Sequence, residues 1–217
     1  MDKILTFDCY GTLFDTKPLY DYIGSIASAN NISPEKAKAV FINYEDRLMY
    51  GENYIPYDML LEGILEYCDM QFSTDSFCRE LENVIQIHAD FSPFFDVLET
   101  FSFLKAKGYS IYIMSNTNHM IMDNHIKKLE GLPDGVILSE ETHCYKPQLD
   151  FFKKTYDILD LGNKAHCHIA KGFWWDIVPC SKLKWNKIWV NRDGIRGNER
   201  YMPYQEILSL NELTKIL

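Results

Sequence analysis

The stretch Phe7-Asp8-Cys9-Tyr10-Gly11-Thr12-Leu13-Phe14-Asp15 decides the fold. Ahead of it Ile4, Leu5, Thr6 and Phe7 form a β-prone apolar run, which predicts a buried strand. Asp8 falls where that run ends. Gly11 follows at once and is able to take positive φ, so the chain can turn sharply. Thr12 adds a hydroxyl within reach of a carboxylate. At the carboxyl end of a strand in an open α/β sheet, a carboxylate sits where such sheets bind ligands. There it can act as a nucleophile, giving an acyl-ester or acyl-phosphate intermediate. The plain alternative is a strand followed by an Asp-containing turn, and the later residues decide between the two.

Composition bounds the answer. At 217 residues the chain suits one large domain, or a core with a smaller insert. With 47% apolar residues it can bury a sizeable core, so disorder is not indicated. A net charge of −9 argues against nucleic acid as a partner, because phosphate binding needs Lys and Arg in excess. The densest basic stretch, Lys182, Lys184 and Lys187, is explained by a solvated helix face and loop. The N-terminus lacks a signal pattern and no apolar run is long enough to span a bilayer, so no membrane partner is expected. Six scattered cysteines without a C-x-x-C pair favour reduced thiols in a cytoplasmic setting over disulfides or zinc. The partner expected is a small molecule. A homodimer is compatible with the sequence.

After the first strand and turn come four helical segments, near 18–30, 34–49, 56–68 and 74–89, with no strand pattern among them. Ser33-Pro34-Glu35 supplies an N-cap, a Pro at the first helical position and a carboxylate in the first turn. From Phe94 onward the pattern alternates. Strands are predicted at 109–114, 135–138, 166–170 and 187–191. Helices are predicted between them, with a last one from about Pro203. This order predicts a parallel sheet covered by helices on both faces, with a helical insert hanging over its carboxyl edge. The expected division is a core of 1–16 and 92–217 and an inserted helical unit of 17–91.

Three more polar groups fall at strand ends or loop-to-helix junctions. Ser115 and Asn116 follow the strand at 109–114, where a hydroxyl and free helix N–H groups suit an anionic substrate group. Lys146 precedes Pro147, which holds it extended, and its ammonium is placed to pair with Asp8 and keep it ionised. Asp176 comes soon after the strand at 166–170, near a helix start. Singly, each is an ordinary cap or loop residue; together they share one edge of one sheet.

In this order the motifs resemble the haloacid dehalogenase superfamily along almost the whole chain. Asp8-x-x-Gly-Thr-Leu-x-Asp15 is similar to its first motif, Ser115-Asn116 to the second, Lys146-Pro147 to the third, and Ala170 to Asp176 to the fourth. The resemblance implies an α/β fold: a Rossmann-like three-layer core with a parallel sheet, plus a helical cap inserted after the first strand. It implies a hydrolase with Asp8 as nucleophile.

Phosphatases of the superfamily carry a second Asp two residues after the nucleophile, where this chain has Tyr10, and an acidic magnesium ligand in the fourth motif. Counting back from Asp176 puts Lys171 there. A divalent cation about 4 Å from an ammonium would be repelled by about 8 kcal/mol at an effective dielectric near 20. The 2-haloacid dehalogenase branch needs no metal, and Tyr10, Phe14-Asp15, Asn116 and Trp175 match it. The implied chemistry is displacement at carbon by Asp8 and then hydrolysis of the aspartyl ester. Thr12, Ser115, Lys146 and Asp176 assist, and Tyr10, Asn116, Lys171, Phe173 and Trp175 line the substrate site. No cofactor or metal ligand is expected on this reading. A nearby variant displaces another leaving group from carbon, such as a strained C–N bond; the alternatives are a magnesium-dependent phosphatase with an unusual site and a non-catalytic binding protein on the same fold. Three departures stand. The dehalogenases have water-positioning polar residues at Lys171 and Phe173. They have a Tyr at Phe152. Their cap arginine has only Lys38 and Arg47 as candidates here. Lys171 is expected either to pair with Asp8 or Asp176, or to point outward. The Tyr and Met residues of the insert, Met49 and Tyr57 among them, are read as bundle core, and His166 and His168 as core or surface.

Overall fold

A computed structural model describes residues 3–51 and 53–217; Met1, Asp2 and Glu52, which fall within the expected core and insert ranges, lie outside the described residues. In chain order the elements are β1 (Lys3–Asp8), α1 (Lys17–Ala29), α2 (Pro34–Met49), α3 (Tyr57–Phe72), α4 (Leu81–Ala89), α5 (Val97–Ala106), β2 (Tyr109–Ser115) and α6 (His119–Lys128). There follow β3 (Gly135–Leu138), α7 (Ser139–Thr142), α8 (Leu149–Ile158), β4 (Ala165–Ala170), α9 (Val178–Lys182), β5 (Lys187–Val190), β6 (Gln205–Ile207) and α10 (Leu213–Ile216). A π-helical turn, Phe173–Ile177, leads into α9. The six strands form one all-parallel sheet in the order β3-β2-β1-β4-β5-β6.

The sheet order sets the site. From β1 the chain fills one side with β2 and β3, then crosses to the other side with β4 to β6, so a crevice opens at the carboxyl end of β1. Asp8 ends β1 and pairs in register with Met114, which puts Ser115 one residue beyond it on the neighbouring strand. Alternation along β1 sends Leu5 and Phe7 to one face, where they join the main core. Ile4, Thr6 and Asp8 take the other face, where Ile4 packs with Met114, Phe151, Phe152 and Trp185.

The main core does not stop at the sheet. Phe7, Leu13 and Phe14 belong to the same buried cluster as Leu19, Ile23, Phe41, Leu60 and Ile64 of α1 to α3. The helical segment is therefore packed onto the carboxyl edge by shared apolar burial. Its second helix starts as its sequence predicts, with Ser33 Oγ accepting from the Lys36 N–H and Pro34 opening the helix.

Two element expectations are corrected. The helix expected from Pro203 is instead a strand, β6, that pairs with β5 through Ile188–Gln205, Trp189–Glu206 and Val190–Ile207. Ile207, Leu210 and Leu213 are buried at three-residue spacing, which mimics a helix, but the open edge of β5 takes the segment first. The fourth helix begins at Leu81 rather than near 74, because the Asp69 carboxylate accepts from the N–H groups of Phe77 and Cys78, both at 2.9 Å, and holds that stretch as a turn. No described helix is long and apolar enough to cross a membrane.

Candidate active site

The first loop is shaped by Gly11, which sits at φ +76°, in the region that favours glycine. Its N–H donates to the Phe14 carbonyl at 2.8 Å, so the chain folds back and returns Thr12 beneath Asp8. Thr12 Oγ1 donates to Asp8 Oδ2 at 2.5 Å and accepts from the Lys171 N–H at 2.7 Å. The same loop is tied to the far side of the sheet by Arg192. That side chain forks onto the buried Asp96 with two bonds of 2.9 Å and donates a third, 2.8 Å, to the Thr12 carbonyl.

Lys146 is the centre of the charge arrangement. It is 2% exposed, and its Nζ donates to Asp8 Oδ1 at 2.6 Å and to Asp176 Oδ1 at 2.8 Å. Asn116 grips its backbone on both sides, accepting from the Lys146 N–H at 2.7 Å and donating to its carbonyl at 2.9 Å. Asp176, fully buried, also bonds His168 Nε2 at 3.0 Å. His168 Nδ1 and His166 Nε2 both meet Thr6 Oγ1 at 2.8 Å. A continuous polar run thus passes from Asp8 through Lys146, Asp176 and His168 to Thr6, along the face of β1 and β4 that carries no large core residue at those positions.

Two carboxylates share one ammonium, leaving one net negative charge. Burial alone would lower the Lys146 ammonium, but Asp176 and Asp8 more than reverse this and hold it above its ordinary value. Burial pushes both carboxyls up. At Asp176 the pull of Lys146 and His168 wins and the group lies below its usual value. At Asp8 burial, reinforced by the Asp176 charge, prevails over Lys146, so this carboxyl lies above its usual value.

These groups open onto a cavity of about 400 Å³ between the sheet edge and the helical segment. The sheet side of its wall is Asp8, Gly11, Asn116, Lys146, Lys171, Trp175 and Asp176. The helical side is Leu19, Tyr20, Ile42, Glu45, Asp46, Met49, Tyr57 and His88, with Tyr10 and Phe91 between.

Sequence reasoning places Asp8, Thr12, Lys146, Asp176, Tyr10, Asn116 and Trp175 together, and the structure brings these seven to or directly beneath the cavity. Three others differ from expectation, two of them standing off the cavity wall. Ser115 is fully buried behind Asp8, not on the cavity wall, and its hydroxyl has no hydrogen-bond partner among the described residues. Phe173 turns away from the cavity and packs on Trp189, Tyr204 and Tyr201 at centroid distances of 4.9, 5.5 and 6.0 Å. Lys171 borders the cavity, but its ammonium pairs with Asp193 at 2.9 Å rather than with Asp8 or Asp176, because Lys146 already occupies the space between those two. Neither candidate for a cap arginine reaches the cavity: Lys38 pairs with Asp21 at 3.2 Å, and Arg47 lies over the Tyr44 ring. Phe152 is buried edge-on to His168 and Trp185.

Sequence reasoning reads His168 as core or surface and Met49 and Tyr57 as bundle core; all three are buried, and Met49 and Tyr57 border the cavity as well, while Glu45, Asp46 and His88 went unnoticed. A signal for Glu45 was present: Ala37, Phe41, Glu45 and Met49 recur every four residues, so a glutamate sits on the apolar stripe of α2. His88 likewise follows buried Val84 by four in α4.

A family model for haloacid dehalogenase-like hydrolases matches residues 3–169 of the chain. The (S)-2-haloacid dehalogenase 4A of Burkholderia cepacia is 23% identical over 222 residues, covering 99% of this chain and 94% of that protein. Among solved structures, a dehalogenase captured as an intermediate complex superposes with a TM-score of 0.85 at 20% identity, covering 100% of this chain and 98% of the other. The magnesium-bound HAD-hydrolase YfnB of Bacillus subtilis superposes with a TM-score of 0.81 at 16% identity, covering 99% and 98%. The fold is thus shared with a protein whose structure is magnesium-bound, and the chemistry of this chain has to be read from the residues around Asp8.

Proposed function

The chain belongs to the haloacid dehalogenase-like hydrolases, and from that premise we propose that Asp8 displaces a leaving group from carbon in a small carboxylate-bearing substrate of the 2-haloacid type. The chain is a hydrolase, and the reaction has two steps. A carboxylate oxygen of Asp8 bonds to the substrate carbon, and the carbon–halogen bond breaks with its electron pair leaving on the halide. Water then adds to the ester carbonyl carbon of Asp8, the bond from that carbon to the substrate oxygen breaks, and the 2-hydroxy acid departs with one of the original Asp8 oxygens.

One observation carries this reading: the Lys146 ammonium sits hydrogen-bonded between Asp8 and Asp176 at 2.6 and 2.8 Å. It favours the ionised, nucleophilic form of Asp8 against the pressure of burial. Thr12 fixes the second carboxylate oxygen, so the side chain is held in one orientation for attack. Asn116 and His168 act as positioning residues, the first through the Lys146 backbone and the second through Asp176. Asp176 Oδ2 is fully buried without a partner among the described residues, so the role of Asp176 is to hold Lys146 and His168 in place rather than to meet a hydrolytic water directly.

The residues present do not fit a divalent cation. Among the described residues no group of three His, Cys, Asp or Glu side chains converges on one point. The two carboxylates that would bridge an ion instead share an ammonium. We infer a cytoplasmic setting from six unpaired cysteines. The test is incubation with 2-chloropropionate in the presence of a chelator. Chloride release that is lost in Asp8→Asn supports the reading. Release of inorganic phosphate from small phosphomonoesters, dependent on added magnesium, overturns it.

A further inference from the structure

The helical wall of the cavity is charged the wrong way for a halide or a bare carboxylate. Its ionisable residues are Glu45 and Asp46 of α2, with His88 of α4 beside them. Neither carboxylate has a cationic side chain within salt-bridge distance among the described residues. Glu45 Oε2 accepts only the long 3.4 Å bond from the Tyr20 hydroxyl. Burial, with Asp46 beside it, pushes the Glu45 carboxyl up to about 7.

A second feature of the same wall is independent of those two acids. His88 is 3% exposed and borders the cavity; its Nδ1 meets the Tyr57 hydroxyl at 3.3 Å, while Nε2 has no partner among the described residues. Burial lowers this imidazole to about 3, so it brings no positive charge of its own. The rings of Tyr20, Tyr57 and Trp175 complete the surroundings. The half-buried Glu45 carboxylate and the exposed Asp46 carboxylate beside it, both without a counter-ion among the described residues, together with the aromatic faces form an environment that favours a cation. On the opposite side, Lys146 is committed to two carboxylates and Lys171 to Asp193, so among the described residues no cationic side chain crosses the cavity to meet Glu45 and Asp46.

We propose that the carboxylate-bearing substrate also carries a positively charged nitrogen seated against Glu45 and Asp46, so that this cavity takes zwitterionic 2-substituted acids in preference to simple anionic haloacids, which remain poorer substrates. The proposal rests on the reading above for the location of the site and for the substrate carboxylate. The zwitterion lies with its ammonium towards α2 and its reacting carbon towards Asp8.

The experiment is calorimetric binding of n-propylammonium and of propionate to the full chain, a measurement that needs no turnover. Propylammonium is expected to bind in preference to propionate. Glu45→Gln and Asp46→Asn, checked for native circular dichroism, are expected to weaken it by about tenfold or more each. Glu66→Gln, which removes the same charge from an exposed site on α3 outside the cavity, is expected to leave binding unchanged. Stronger binding of propionate, no binding of either, or equal binding by Glu45→Gln and the parent chain overturns the proposal. Each of these results leaves the role of Asp8 standing, and failure of Asp8 chemistry leaves the binding result standing.

Discussion

Replacing Lys146 by Met keeps the volume of the side chain and removes the ammonium. Each contact, at 2.6 and 2.8 Å, is a gross attraction of about 6 kcal/mol at an effective dielectric near 20. Most of that is offset by the desolvation of a lysine that is 2% exposed. What the substitution exposes is the stranding of two buried carboxylates, for which a loss of about 3–5 kcal/mol is expected near pH 7.5. For a chain of this size that is a fall in Tm of about 6–20 °C. The pH dependence has a definite sign. The raised Lys146 group contributes fully below its ordinary value and loses its contribution only as pH rises through its folded value, so at neutral pH the parent chain has all of it. Asp176, lowered in the folded chain, contributes above the ordinary carboxylate value and loses this only below it. In the variant both carboxyls lose their partner and rise, and a raised carboxyl favours folding when protonated. The stability gap should therefore narrow between about pH 7.5 and about pH 5. Urea unfolding at the two pH values measures it. A variant within about 1 kcal/mol of the parent at both would refute the assignment of Lys146 as the shared counter-ion.

The raised position of Asp8 predicts that kcat/KM falls on the acid side with a midpoint above the usual carboxylate value of about 4, measured as a pH–rate profile; full activity retained to lower pH would count against Asp8 as the ionised nucleophile. Lys171→Met should lower kcat by less than about tenfold, because that ammonium is paired with Asp193, whereas Lys146→Met should lower it by about a hundredfold or more; equal losses in steady-state assays would show that the two lysines act together. Gly11→Ala should destabilise the chain by about 1–2 kcal/mol in urea unfolding, since the residue sits at φ +76° and a Cβ would lie 3.1 Å from Lys171 Cδ; a neutral effect would mean that the first loop relaxes freely.

What was legible followed from local pattern. Ile4 to Phe7 before Asp8, and the alternation after Phe94, carry the parallel sheet, because strand periodicity and turn residues are written locally. The convergence of Asp8, Thr12, Lys146 and Asp176 follows from strand order once each is placed at a carboxyl end. What was not legible is where a long side chain goes when two partners compete for it. Lys146 and Lys171 are both lysines after strand-end loops, yet only Lys146 lies between the carboxylates, held there by the Asn116 grip on its backbone. Phe173 and Trp175 differ by two residues, and the π-helical turn at Phe173–Ile177 sends one to Trp189 and the other to the cavity. The edge strand β6 was hidden because buried residues at 207, 210 and 213 carry the period of a helix.

Asp8 as the atom donor to product is tested most directly by a single turnover in water enriched in heavy oxygen, followed by mass spectrometry of the peptide that contains it. Water that attacks the ester carbonyl leaves heavy oxygen in the Asp8 carboxylate and none in the first product released. Label in the product, with an unlabelled Asp8 peptide, would mean that water attacks the substrate carbon itself and would contradict hydrolysis at the Asp8 carbonyl.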